Sequence, residues 1–264
     1  MRHFHLLISI MCLLFLSIDN HPNYKMILAG NRDEFYNRRT APAQFWDDHE
    51  DILGGRDLEA GGTWLAMTRG GRIGMVTNYR DPQNINPIAP SRGHLVSNFL
   101  ESTEPGDQYL RHVSHIGKAY NGFNLIVGQA QSLWYYSNYR EGVEKLAPGF
   151  YGLSNHLLET SWPKVLRGKQ RIKPLLENAV IDPEALLDVL YDDEVAGEEL
   201  LPKTGLALER ERALSSMFIK TEGYGSRCST VILVDKADNV LFTERVYDVT
   251  TFDHTTASFR FTLN

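Results

Sequence analysis

Tyr24-Lys25-Met26-Ile27-Leu28-Ala29-Gly30-Asn31-Arg32-Asp33-Glu34-Phe35-Tyr36 joins an apolar run to a crowd of charged and aromatic side chains. Residues 24–29 read as a strand, and a strand that ends by fanning charges outward is a usual way to frame a site. The other reading of Arg32, Asp33 and Glu34 is a solvated turn, because most charge runs are exposed. Cys12, one strand earlier, weighs against the turn.

Around that cysteine the chain reads in two ways. Residues 6–16 are almost wholly apolar and follow Arg2, as the hydrophobic region of a signal peptide would. The run is too short to span a bilayer, and Ser17-Ile18-Asp19-Asn20-His21-Pro22 offers a polar turn in place of a small-x-small cleavage site. A buried strand fits as well. Met11 directly precedes Cys12 and offers a second candidate start, with residues 1–10 then an upstream extension; loss of Met11 from that start leaves Cys12 as the first residue. With Met1 as the start and residues 1–17 removed, the protein is instead exported.

The 264 residues, 42% hydrophobic and 23% charged, suffice for one large domain or two small ones with a sizeable core. A net charge of -6 gives no basic footprint for nucleic acid or anionic lipid, which favours a small-molecule or protein partner. Two cysteines, Cys12 and Cys228, exclude a disulfide framework and a cysteine-built zinc site and point to a cytoplasmic, reducing compartment.

Strands are expected at 63–68 and 72–77 around a tight turn at Arg69-Gly70-Gly71, and residues 40–62 read as a long loop framing a site. Capped helical patterns cover 91–101 and 105–119, then strands 123–127, 133–137 and 151–154. Helices return at 162–178 and 182–191, the second with Asp182 as its cap, ahead of an exposed acidic loop at 192–199. The C-terminal part is β again, at 217–220, 229–235, 240–244 and 258–263. Hairpins with helices grouped between them, and no repeat or linker, predict one α+β domain of helices stacked on antiparallel sheets.

No G-x-S-x-G elbow, H-E-x-x-H or Walker loop occurs, and Gly223-x-Gly225 lacks the third glycine of a dinucleotide fingerprint. His112 and His115 are three apart on a helix with no third ligand in reach, so neither a metal nor a cofactor is expected. Cys12 remains. A thiol becomes a nucleophile beside a cation or a base, and a free α-amino group titrates near neutrality; an N-terminal Cys12 would carry both groups. Flanked by Met11, Leu13 and Leu14, it also reads as an inert core residue.

Seven blocks stand in one order along the chain: Met11-Cys12-Leu13-Leu14-Phe15, the run from Met26 to Tyr36, Gly61-Gly62-Thr63-Trp64-Leu65, Thr77-Asn78-Tyr79-Arg80, Tyr120-Asn121-Gly122-Phe123-Asn124-Leu125, Tyr151-Gly152-Leu153-Ser154-Asn155 and Gly223-Tyr224-Gly225-Ser226-Arg227. Together they resemble the NRDE family, the transport and Golgi organization 2 homologues, and the match leaves residues 11–264 as a single NRDE-family domain.

The resemblance implies a four-layer αββα sandwich similar to N-terminal-nucleophile hydrolases, with sites arranged as in the penicillin V acylase and choloylglycine hydrolase group. On that basis Cys12 is the nucleophile, Arg32 stabilises its thiolate, Asp33 orients its α-amino group, Asn78 and Asn155 donate to the oxyanion, and Arg227 flanks the nucleophile. In the acylases the arginine and aspartate are separated; here they are adjacent. Each side-chain type suits its role, since a guanidinium lowers a thiol pKa and an amide NH2 donates to developing negative charge. Asn31, Glu34, Tyr79 and Trp64 stand beside them as candidate ligand contacts. Plainer readings are turn caps for Asn78 and Asn155, an ion pair of Arg227 with Asp33 or Glu34, and core packing for Trp64. Two functions follow from the resemblance: a cysteine amidohydrolase acting on an amide-linked small molecule, or a non-catalytic binding and trafficking protein for acyl-CoA, lipid or haem.

Overall fold

The computed structural model describes residues 11–264, so the expected upstream extension at 1–10 lies outside them. The described residues form two seven-stranded antiparallel sheets. The first contains β1 (Met11–Ile18), β2 (Tyr24–Phe35), β10 (Gly149–Leu153), β11 (Lys220–Thr221), β12 (Tyr224–Asp235), β13 (Asn239–Tyr247) and β14 (His254–Thr262), in the order β10-β1-β2-β12-β13-β14 with β11 beside β12. The second is a meander in chain order: β3 (Thr40–Trp46), β4 (His49–Asp57), β5 (Leu65–Thr68), β6 (Arg72–Asn78), β7 (Phe123–Gln129), β8 (Ser132–Ser137) and β9 (Glu144–Lys145).

Period-two alternation along β1 sorts its side chains between two cores. Leu14, Leu16, Met26 and Leu28 face Leu53, Leu65, Met67 and Met75 of the other sheet. Leu13, Phe15, Ile27 and Ala29 face the helices α3 (Pro163–Ile172) and α4 (Pro183–Leu190) through Val165, Ile172, Leu186 and Leu190. On the far side, α1 (Gly93–Glu101) and α2 (Gly106–Ile116) cover the second sheet with Leu95, Val96, Phe99, Leu110 and Val113. The order of layers is therefore helix, sheet, sheet, helix, the expected αββα sandwich. A short helix, α5 (Leu208–Ala213), precedes the return to β structure. No helix of the described residues is long and apolar enough to cross a membrane.

Three expectations are corrected. Residues 40–62 are not a long loop but contain the hairpin β3–β4; Pro42 sits in a register irregularity on the edge strand β3, where a missing N–H is tolerated. Residues 217–219 are bend and irregular chain, and the strand is confined to Lys220 and Thr221. The charged run after Ala29 is not a turn at all: β2 continues to Phe35, and Asn31, Arg32, Asp33 and Glu34 are all buried. β1 lies between β10 and β2 at the centre of the layered core, so removing residues 1–17 would delete all but the end of that strand.

Candidate functional site

Cys12 begins the inter-sheet face of β1, and the β1–β2 register sets it opposite Arg32, which is in turn opposite Cys228 on β12. Cys12 and Arg32 line a cleft of about 430 Å³ together with Glu34, Trp64, Asn78 and Arg92. Glu34 accepts from Arg32 Nη2 at 3.3 Å, and Arg38, from the turn beyond β2, reaches Glu34 at 3.5 Å and Asp57 at 2.6 Å. Charges inside the cleft are thus largely matched before a ligand arrives. A smaller cavity of about 90 Å³ continues past Arg32 and Trp64 toward Cys228 and Glu244. Burial, reinforced by the nearby Asp33 carboxylate, pushes the Cys12 thiol up to about 12; Arg32 opposes that rise without overcoming it.

Asp33 points the other way, as alternation requires. It lies opposite Met11 in the register and accepts from Ser226 Oγ at 2.5 Å, while its Oδ2 has no partner among the described residues. Lys164 of α3 is buried on the same side with an unpartnered Nζ. Burial raises Asp33 to about 7 and lowers Lys164 to about 8, each shift opposed by the other's charge.

The two asparagines separate. Asn78 lines the cleft and its buried Nδ2 meets no acceptor among the described residues. Asn155 is bound up in structure: its Nδ2 donates to the Asn78 carbonyl at 3.2 Å and its Oδ1 accepts from Ser154 Oγ at 3.0 Å.

Three other candidates stand apart from the thiol. Arg227 occupies the β-bulge between Ser226 and Cys228, which re-aims it at the carbonyls of Phe35, Tyr36 and Arg38 at 3.0, 3.3 and 3.1 Å. It therefore staples the turn after β2 and does not flank Cys12, nor does it form an ion pair with Asp33 or Glu34 among the described residues. Asn31 faces the helices, its amide donating to the Leu190 and Met217 carbonyls at 2.8 Å each, so it lines no cleft. Tyr79 turns away to stack on Tyr139 at 3.9 Å and to bond His156 Nε2 at 2.8 Å. Trp64 is both core and cleft wall: it is 8% exposed and borders both cavities.

The family model described as Transport and Golgi organisation 2 matches residues 11–249. The chain is also 39% identical to the Transport and Golgi organization 2 homolog of Mus musculus, over 96% of this chain and 99% of that protein. The chain belongs to the Transport and Golgi organisation 2 family. The Homo sapiens homolog is 38% identical, with 89% and 92% of the two chains covered, and the Drosophila melanogaster protein 29% identical, with 89% and 91% covered. Among solved structures, a Caenorhabditis elegans ortholog of N-acylethanolamine-hydrolyzing acid amidase is similar at 11% identity and a TM-score of 0.48, over 84% of this chain and 92% of that one. A mutant conjugated bile acid hydrolase from Clostridium perfringens is similar at 8% identity and a TM-score of 0.36, over 100% and 90%.

In this Transport and Golgi organisation 2 chain, sequence reading missed Lys164 and Arg92. Lys164 had a signal: it falls on the Lys164-Gly168-Ile172 stripe of α3, where the fourfold spacing predicts a buried residue and supplies a lysine. Arg92, next to a turn-rich stretch, carried none. It sits at the start of α1, donates to the Gly122 carbonyl at 2.9 Å, and is held charged in the cleft although burial lowers it to about 10.

Proposed function

We propose that residues 11–264 act as a single N-terminal cysteine amidohydrolase domain that cleaves the C–N bond of an amide-linked small molecule. One juxtaposition carries this reading: Cys12, Arg32 and Asn78, whose buried Nδ2 has no partner among the described residues, border one cleft, while Asp33 stands opposite residue 11 in the strand register. With Met11 removed, the α-amino group of Cys12 comes within the reach of Asp33 and becomes the base. It takes the thiol proton, the sulfur adds to the substrate carbonyl carbon, and the oxygen gains the carbonyl electron pair. Asn78 donates to that oxyanion. Collapse breaks the C–N bond, the departing nitrogen takes the proton held by the amine, and water then hydrolyses the thioester to restore the thiol.

Of the roles expected, Cys12, Arg32, Asp33 and Asn78 are retained, with Glu34 and Trp64 as cleft walls. Asn155 becomes the support of Asn78 and Arg227 the clamp of the neighbouring turn. The unpaired, buried thiols of Cys12 and Cys228 fit a reducing, cytosol-like compartment.

Intact mass and a panel of fluorogenic N-acyl amides test the proposal together. A chain beginning at Cys12 should hydrolyse at least one amide, and Cys12→Ala should abolish that turnover with an unchanged melting temperature. A chain of that mass that releases no amine from any of them overturns it.

A second reading has its own observation. With Met11 in place the Cys12 thiol is pushed up to about 12, which suits a cleft that binds without reacting. Apolar Trp64, Val76 and Ile85 with cationic Arg32 and Arg92 would then hold the acyl chain and acidic head of an acyl-CoA or lipid. Among the described residues no histidine or methionine lines the cleft, so of these haem would find Cys12 as its only sulfur or imidazole ligand there. Ligand retention by Cys12→Ala, with no amidase activity in the parent, decides for this carrier.

A further inference from the structure

Behind Cys12, on the helix side of the first sheet, Lys164 and Asp33 present opposite charges with unsatisfied atoms. Lys164 is 2% exposed and Asp33 0%. Lys164 Nζ and Asp33 Oδ2 both lack a hydrogen-bond partner among the described residues. A buried ammonium with no partner is costly, and native proteins leave few such atoms; here both unsatisfied atoms lie on the helix side of the first sheet, beyond ion-pair distance of each other, with Lys164 the largest charge acting on Asp33. Close packing enforces the position: a Cβ on Gly168, one turn further along α3, would fall 2.0 Å from the Phe15 ring of β1. The helix is seated against the strand that bears Cys12.

Other charges around the pair are accounted for. Glu34 on the same strand and Arg80 beyond β6 act on Asp33, which in turn acts on Tyr36 just past β2, while Arg80, Glu211 of α5 and Cys12 act on Lys164. Arg80 is bound to Glu211 at 2.5 Å, and its charge acts on Asp33 less strongly than that of Lys164.

We propose that Lys164 is a positioning residue for the hydrolysis: its ammonium keeps the Asp33 carboxylate ionised, and Asp33 in turn holds the Cys12 α-amino group as the base for the thiol proton. This rests on the amidohydrolase reading and adds to it the group that keeps Asp33 charged. Without the ammonium, burial is opposed only by the Ser226 hydrogen bond and the more weakly acting Arg80, so the pKa of Asp33 climbs further and the amine loses its acceptor at neutral pH.

The full-length chain processed to Cys12 provides the test, with Lys164→Met and Lys164→Arg beside the parent. The acid limb of kcat/KM for an N-acyl aminomethylcoumarin is measured, along with the Asp33 carboxyl midpoint by 13C NMR, assigned with Asp33→Asn. In Lys164→Met, limb and midpoint both move up by about one pH unit or more, and kcat/KM at pH 7 drops roughly tenfold. Lys164→Arg restores both. A folded Lys164→Met with an unmoved midpoint overturns the proposal, and where hydrolysis persists the amidohydrolase reading stands regardless. A midpoint tied to Lys164 in a chain that cleaves no amide supports the pairing and overturns the amidohydrolase reading instead. Should neither variant fold, the parent decides, since the Lys164 13Cε shift must register the Asp33 titration step; a flat response sinks the inference.

Discussion

Asn78 and Asn155 share a chemistry and differ in what surrounds them. The Asn78 amide is buried at the cleft wall with no acceptor among the described residues, whereas that of Asn155 is committed to the Asn78 carbonyl. Asn78→Ala should therefore lower kcat by about 10²–10³-fold at nearly unchanged stability, the usual loss for one oxyanion donor. Asn155→Ala should instead leave a buried carbonyl unpaired, costing about 1–3 kcal/mol in urea unfolding. The reverse pattern, a stable but inactive Asn155→Ala beside a fully active Asn78→Ala, would exchange their roles. Legibility at this scale follows the same line. A residue's chemistry is written in its type, so Cys12, Arg32, Asp33 and Asn78 stood out. Its direction depends on backbone detail, so Arg227, turned by a one-residue bulge, and Asn31, one step out of phase with Arg32, were misplaced.

Elements were legible where one period ran uninterrupted. The apolar run 24–29 predicts a strand, but β2 continues through Phe35 because paired strands on both sides receive its polar residues. No local sequence signal reports that a neighbouring strand will bury an Arg-Asp-Glu run. Pro42 is tolerated in β3 only because that strand lies at a sheet edge, a position that local sequence does not report. The helix α3 was visible from its pattern, but the closeness of its approach was not. Gly168 permits that approach, and Gly168→Ala would drive a methyl into the Phe15 ring. A loss of about 1–3 kcal/mol is expected from such overpacking, read as a lowered melting temperature. Because α3 carries Lys164, the acid limb of any amidase activity should shift upward in the same variant. An unchanged melting temperature would mean that α3 is free to move off β1.

For the molecule as a whole, burying the charged run makes stability depend on pH in an unusual direction. Asp33 titrates near about 7 in the fold against an ordinary 3.8, so between those values the folded chain holds a proton that the unfolded chain has released. Stability then falls as pH rises through that window. Glu34 and Glu244, also raised by burial, act with the same sign. Lys164 opposes them from about 8 upward, because the unfolded chain binds a proton there that the folded chain lacks, up to the ordinary 10.5. Cys12, raised from 9.0 to about 12, cancels that gain above 9.0, and Cys228, also raised by burial, turns it into a fall. The recovery is thus confined to roughly pH 8–9, and the minimum on the neutral side belongs to the Asp33–Lys164 pair. Urea unfolding of the parent should give a lower free energy at pH 7.5 than at pH 5, and Asp33→Asn should flatten most of that decline while Glu34 and Glu244 sustain the remainder. An equally steep decline in Asp33→Asn would assign the cost to the other carboxylates and remove Asp33 as the titrating centre.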